Sequence, residues 1–485
     1  MTVLGRALTG AACAALVLSG QFATAAAARA EDASCVLAGR ALRYVVDFDR
    51  GTDAATAASD VSAACGETTI YYPQIAVGVV TSPDPGFAER FGPDRAFSAQ
   101  AARLASQRAN ASVVRKTSTA RPELAPTDPA AVPSEDRTGK QWDMWEINAT
   151  AARAINPGSP DVVVGVLDSG IDPAHPELTQ ALDPARSAGC LTGAPDQDAQ
   201  AWAATTSSHG THVAGIIAAA DDGKGITGVA PGVRLASVKV IDDRGYVDPE
   251  AAVCGLMWAA KERMKVTNSS FFVDPWALSC THGPDHGVVR EVMARAVEYS
   301  SQTGTVNVAA ATNEAVNLTP SPRSGTQQPP PAKSAAGCEA FPAGLRDVVA
   351  VSSVGESKIK AGYSSYGLGV IDVTAPGGDS GQCVLSTVSA GYAPLCGTSM
   401  AAPHVAGVVA LMASAHPGYT SAQLRKTLDE QARPIACPGD YDLNGDGTQD
   451  AYCAGYASYN GFYGHGMVDA LAAVAPRRSV LPSKP

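Results

Sequence analysis

The chain has no run of basic residues: 36 Lys and Arg are set against 47 Asp and Glu, a formal charge of −11. Holding a phosphate backbone takes a positive patch, so nucleic acid is excluded as an expected partner. Long apolar runs are scarce as well. The stretch from about Ala7 to Leu18 is shorter than the roughly 20 residues of a membrane span, and nothing later reads as one. No membrane anchor is therefore expected. Histidine is sparse, eight in 485 residues. Two of them, His209 and His212, stand three apart in "SSHGTHVA", but the H-E-x-x-H pattern of a zinc site is missing, as is a third ligand near by.

What is present is enough for a large folded protein. The 45% hydrophobic content supplies a core, and 485 residues allow two to four units. Residues 1–30 read as a secretory signal peptide: Arg6, the apolar stretch, then small residues that permit cleavage after Ala25, Ala28 or Ala30. Once Cys13 is removed with it, two cysteines remain in the next segment (Cys35, Cys65) and eight in the remainder, even counts that suit an oxidising compartment. Their connectivity is not assigned.

Residues 31–136 read as a small α+β unit, with strands over 42–48 and within 69–80 and helices over 54–64 and 96–109. A Pro- and Ser-rich linker, 118–140, follows. Beyond it, apolar strand runs at 161–170, 232–242, 265–272, 304–313 and 347–355 alternate with helical stretches. That alternation predicts a mostly parallel sheet with helices on both faces, a three-layer α/β domain, and places ligands beyond the carboxyl ends of the strands. Asp168 and Asn313 fall at two such ends.

In "CGTSMAAPHVAGVVALMASA" (396–415), Ser399 is expected as the cap of a long helix, with Pro403 in its first turn. Backbone N–H groups at a helix N-terminus favour the negative charge that develops in acyl transfer. A serine hydroxyl needs a base, and the base needs an orienting acid. The chain offers Asp168, His209 and Ser399 in that order, which is the subtilisin order.

The blocks "VVVGVLDSGID", "SSHGTHVAG" and "GTSMAAPHVAG" closely resemble the three active-site blocks of the subtilisin-like serine peptidases. The resemblance implies Asp168 as orienting acid, His209 as general base, Ser399 as nucleophile, and His212 as a structural residue. "AAATNE" (309–314) resembles the block of the oxyanion-hole asparagine, here Asn313, with Thr312 where the family has glycine. The resemblance extends over about 140–475. "WEINATAARA" resembles the start of the mature domain, "SSYGLGVIDVTAPG" (364–377) the strand pair before the serine block, and "YGHGMVDALAAV" the closing helix. It implies a secreted serine endopeptidase made as a self-processing zymogen, acting on protein or peptide substrates as a monomer, with residues 31–136 as propeptide inhibitor and 137–485 as peptidase domain. A narrow-specificity processing peptidase and an inactive binding protein on the same scaffold are the alternatives. Activity is expected at neutral or alkaline pH, because a protonated His209 cannot act as base.

One departure concerns substrate. Where relatives carry a Ser-Leu-Gly-Gly type sequence, this chain has "VTNSSFFVDPW", giving Ser270, Phe271 and Phe272 as substrate-binding residues. Two rings in place of small residues either narrow the cleft or turn into the core. The second chemical signal is "DYDLNGDGTQD" (440–450), an insertion at about 437–453. Asp440, Asp442, Asn444, Asp446 and Asp450 present oxygen ligands around Gly447, which suits a structural Ca²⁺, although the bidentate glutamate of an EF-hand is missing. The alternative is an acidic hairpin, and Cys437 and Cys453 bracket either one. The chemistry itself needs no cofactor.

Overall fold

The computed structural model describes Cys35 and residues 39–110, 135–280, 283–319, 338–379, 381–389 and 391–475. The signal-peptide segment 1–30 and linker residues 118–134 lie outside these.

The N-terminal unit is a four-stranded antiparallel sheet of β1 (Leu42–Asp47), β2 (Glu67–Tyr72), β3 (Val77–Ser82) and β4 (Ala96–Phe97), in the order β2-β3-β1-β4. The apolar stretch 69–80 contributes to two strands, because Pro73 and the turn that ends at Ala76 interrupt it. Side chains of β1 alternate between two cores, as a pleated strand requires. Tyr44 and Val46 pack with Phe87 and the helix Ala54–Ala63, whereas Val45 joins the core of the larger unit.

That larger unit is built on seven parallel strands: β5 (Val163–Asp168), β6 (Ala188–Gly189), β7 (Arg234–Lys239), β8 (Val266–Ser269), β9 (Val306–Ala310), β10 (Val348–Val354) and β11 (Val373–Pro376). Their order is β11-β10-β9-β8-β5-β7-β6. Every residue of β5, β8, β9 and β10 is buried, as expected of parallel strands covered on both faces. Val164 and Val166 of β5 face the helices His209–Ala218 and Thr398–Ala415; Val163 and Leu167 face Pro249–Lys261 and Pro284–Gln302. The expected three layers are present.

Two expectations need correction. Segment 364–377 holds one strand, β11, and the strand pair comes later, as the antiparallel hairpin of β12 (Val384–Val388) and β13 (Gly391–Leu395). The helix Thr398–Ala415 is long and apolar enough to cross a membrane by length and composition, but 83% of that window is buried inside the protein as a core helix. All ten cysteines after Cys13 are paired: Cys35–Cys65, Cys190–Cys254, Cys280–Cys338, Cys383–Cys396 and Cys437–Cys453.

The N-terminal unit rests on the helices Pro249–Lys261 and Pro284–Gln302. Arg43 reaches Glu250 at 3.1 Å, Arg103 reaches Asp248 at 2.7 Å, and Arg295 donates to the Phe48 carbonyl at 2.8 Å. Glu250 is buried there, and that burial, reinforced by the neighbouring charge of Asp248 and opposed by Arg43, pushes its carboxyl up to about 7.

Candidate active site

Strand order decides what can meet. Because β9, β8 and β5 are neighbours, the residues that follow them line up along the carboxyl edge of the sheet: Asn313, Ser270 and Asp168. Asp168 ends β5 fully buried, its Oδ1 accepting the Ser169 N–H at 2.7 Å and facing His209 Nδ1 at 2.8 Å. His209 opens its helix with a side chain 29% exposed. Such close seating of helix on strand end requires glycine at 210: a Cβ there would lie 2.4 Å from the Gly170 carbonyl oxygen and 3.1 Å from the Asp168 Cβ.

His212, one turn on, belongs to different surroundings. It is fully buried, its Nε2 lies 3.0 Å from the Ala393 carbonyl oxygen, and burial pushes its imidazole down to about 3. It therefore stays neutral across the ordinary pH range.

Ser399 is not the cap of its helix. Gly397 holds that position, Ser399 is the second helical residue, and Pro403 lies beyond the first turn. A proline there has no N–H for the carbonyl four residues back, which is that of Ser399. Ser270 supplies the missing donor, its Oγ reaching the Ser399 carbonyl oxygen at 2.9 Å. In return Ser399 Oγ donates to the Ser270 carbonyl oxygen at 3.3 Å. On the other side, Asn313 Oδ1 accepts from Thr398 N at 2.9 Å and Thr398 Oγ1 at 2.8 Å. With its oxygen held by Thr398, the amide turns its Nδ2 toward Gly397, where an added Cβ would lie 3.4 Å away. Asn313 itself is exposed.

Thr312 keeps the left-handed conformation that glycine would favour, with φ +78°. For a β-branched residue this costs on the order of 1–3 kcal/mol. Two bonds to Ser365 hold it: Oγ1 to Ser365 Oγ at 2.9 Å, and the Thr312 carbonyl accepting the Ser365 N–H at 3.1 Å. The loop shape is retained at that cost.

Of the three expected substrate-binding residues, Ser270 is 4% exposed and its hydroxyl is engaged by Asn268 Nδ2 at 2.9 Å as well as by Ser399. Phe271 leans on the core beneath the helices Pro249–Lys261 and Pro284–Gln302. Phe272 stays partly exposed. Both rings are thus half-buried, and Phe271 is the one packed against that core.

The acidic segment forms no convergent metal cage. Asp442 Oδ1 accepts from Gly445 N at 2.7 Å and its Oδ2 from Gly447 N at 2.7 Å; Asn444 Oδ1 accepts from Asp446 N, Asp446 Oδ1 from Thr448 N, Asp450 Oδ2 from Leu443 N, and Asp440 Oδ1 from Asp442 N. Among the described residues no group of three His, Cys, Asp or Glu side chains is placed to hold a metal ion. These bonds close the loop's own turns, and each oxygen keeps a further lone pair beyond the N–H it accepts.

One feature had a weak sequence signal that went unused: a second Asp–His pair. His404, one turn beyond Ser399 in the serine block, places Nε2 2.9 Å from Asp143 Oδ2, with both side chains fully buried. Asp143, set between Trp142 and Met144 in "QWDMWEI", was that signal.

Comparison with known proteins gives the family. The sequence profile of the subtilase family matches residues 159–466. Subtilisin NAT of Bacillus subtilis subsp. natto is 32% identical over 315 residues, 64% of this chain and 71% of that protein. Fervidolysin of Fervidobacterium pennivorans is 32% identical over 341 residues, 64% of this chain but only 42% of its own length. Among solved structures, the epidermin leader peptide processing serine protease of Staphylococcus aureus superposes with a TM-score of 0.60 at 18% identity, covering 92% of this chain and all of that one, a likeness of fold. The chain belongs to the subtilase family of serine-type endopeptidases, whose substrates are proteins or peptides.

Proposed function

We propose that Ser399 attacks the scissile carbonyl, His209 takes the hydroxyl proton and returns it to the leaving amine, and Asp168 holds the imidazole and stabilises its charged form. The Nδ1···Oδ1 contact of 2.8 Å between His209 and Asp168 carries this reading, since it leaves Nε2 as the atom that handles the proton. Asn313 Nδ2 and the Ser399 N–H serve as donors to the tetrahedral oxyanion; the Thr398 bonds that fix the amide orientation support this.

The same reading takes residues 1–30 as the signal of a secreted protein and 31–136 as an inhibitory propeptide that the enzyme removes itself. The docking of residues 39–110 on the peptidase helices supports the second point. Phe272 is the observation that favours a narrow processing peptidase over a broad degradative one, because a partly exposed ring stands where relatives have a small residue. The loop at 437–453 has the oxygen chemistry of a hard-cation site. It is proposed as the holder of a structural Ca²⁺, with Asp440, Asp442, Asn444, Asp446 and Asp450 as the oxygen donors and the Cys437–Cys453 disulfide closing the loop, and it takes no part in the reaction.

Purified wild type and Ser399→Ala, each followed by N-terminal sequencing and a peptide-library digest, test the whole. Loss of about 100 residues beyond the signal in wild type alone supports self-processing. Identical maturation of Ser399→Ala rules it out, and a library left intact by mature wild type favours the inactive binding protein.

A further inference from the structure

The hairpin of β12 and β13 belongs to no larger sheet, and its two strands pair only with each other. Two-stranded hairpins are marginal in isolation, so something else must hold this one. Two things do. Along its length it is bonded to the His209 helix. Ser386 Oγ donates to the His212 carbonyl and Thr387 Oγ1 to the Thr211 carbonyl, each at 2.7 Å. Ser389 N donates to Ser208 Oγ at 3.2 Å, and His212 Nε2 meets the Ala393 carbonyl at 3.0 Å. The two hydroxyls sit against Gly215, where a Cβ would come within 2.3 Å and 2.4 Å of them.

At its base the hairpin is closed by the Cys383–Cys396 disulfide, just outside the terminal pair Val384↔Leu395. Cys396 then leads through Gly397 directly into the helix that carries Ser399. Gly397 N donates to the Gly377 carbonyl at 3.0 Å, and Gly378 lies so near the disulfide that a Cβ would sit 2.8 Å from Cys396 Sγ. The hairpin is thus tied to the His209 helix by hydrogen bonds and joined to the Ser399 helix by two residues of chain, Cys396 and Gly397, with the disulfide at the junction.

We infer that the Cys383–Cys396 disulfide is a positioning clamp for Ser399, setting its place relative to His209 through the hairpin. The inference rests on the proposed roles of those two residues. An open base lets Cys396 and Gly397 shift while the bonds to Thr211 and His212 keep the far part of the hairpin on the His209 helix, so Ser399 moves and His209 does not. Misplacement of about 1 Å costs on the order of 10²-fold in rate, and it affects turnover rather than substrate binding. The Cys190–Cys254 disulfide lies elsewhere, joining the segment after the edge strand β6 to the helix Pro249–Lys261, and provides a control.

The test compares full-length wild type, C383S/C396S and C190S/C254S after maturation. Active sites are titrated with a fluorophosphonate, kcat and KM are measured on one peptide substrate, and Tm on each protein. The clamp predicts that C383S/C396S loses about 10-fold or more in kcat per titrated site with KM within about twofold, and reacts more slowly with the fluorophosphonate. C190S/C254S loses Tm but keeps kcat. If C383S/C396S does not fold, wild type is treated with a graded dithiol while mass spectrometry follows which disulfide opens. The clamp then predicts that kcat falls in step with opening of the 383–396 bond and returns on reoxidation. Unchanged kcat in folded C383S/C396S, or in wild type with that bond open, overturns the clamp alone. A wild type that neither takes the label nor cleaves peptide overturns the triad reading, and the clamp with it.

Discussion

Two Asp–His pairs of nearly equal length stand in this molecule, and different work is proposed for them. Asp168 and His209 are 2.8 Å apart, Asp143 and His404 2.9 Å. Each acid is fully buried. The difference lies in the histidine and in what surrounds it. His209 bonds its acid through Nδ1 at the mouth of the strand edge, with a side chain 29% exposed, in the row of Ser270, Asn313 and Ser399. His404 bonds its acid through Nε2, gives Nδ1 to the Met400 carbonyl at 2.7 Å, and has no exposure. Both of its nitrogens are spent on structure. An Asp–His contact is therefore not in itself a catalytic device; an accessible second nitrogen and a nearby nucleophile make it one.

The comparison is broken or sharpened by removing each histidine in turn. His209→Ala is expected to lower kcat on the order of 10⁴-fold or more, a range known from serine peptidases including subtilisin, with little change in Tm. His404→Ala is expected to do the reverse. It strands a fully buried carboxylate, at a cost of about 3–5 kcal/mol in stability, and leaves kcat of the folded fraction within several-fold. Chemical denaturation and active-site-titrated kinetics on both variants decide between the two patterns. Equal losses of kcat would erase the distinction.

Smaller effects test the surroundings of the first pair. Asn313→Ala is expected to cost about 10²–10³ in kcat with KM little changed, a figure that comes from subtilisin itself. Ser270→Ala leaves the Ser399 carbonyl without its donor above Pro403, a destabilisation of about 1–3 kcal/mol measurable by thermal denaturation. The smallest concerns neither pair. Burial, reinforced by Asp248, raises the Glu250 carboxyl to about 7 in the docked state, and undocking is expected to return it toward the ordinary glutamate range. Docking of the N-terminal unit is then strongest below the ordinary glutamate range and weakens as pH rises through about 7. Limited proteolysis of full-length Ser399→Ala at pH 5 and pH 8 should show the N-terminal unit more readily cleaved at the higher pH, and Glu250→Gln should flatten the difference.

The sequence made the layers and the first pair legible because both are written locally. Apolar β-branched runs alternate with helical stretches, and Asp168, His209 and Ser399 each sit in a long distinctive block. What escaped depends on distant partners. Nothing near Pro403 says that Ser270, 129 positions from Ser399, would bond the carbonyl that proline leaves without a donor. Asp143 and His404 are 261 positions apart, and only packing reveals them as a pair. In the acidic loop the oxygens were legible as a set, but the backbone bonds that two of them accept from residues two and five positions on were not. Nor does the sequence near Thr312 announce the bonds to Ser365, 53 positions on, that hold its left-handed backbone.

The most direct measurement of the central claim is the intact mass of matured wild type and of purified Ser399→Ala after exposure to a fluorophosphonate, followed by peptide mapping. One adduct is expected on wild type, at Ser399, formed more slowly as pH is lowered and His209 takes up a proton, and none on the variant. An adduct at another residue, or an unlabelled wild type that still cleaves peptides, would contradict it.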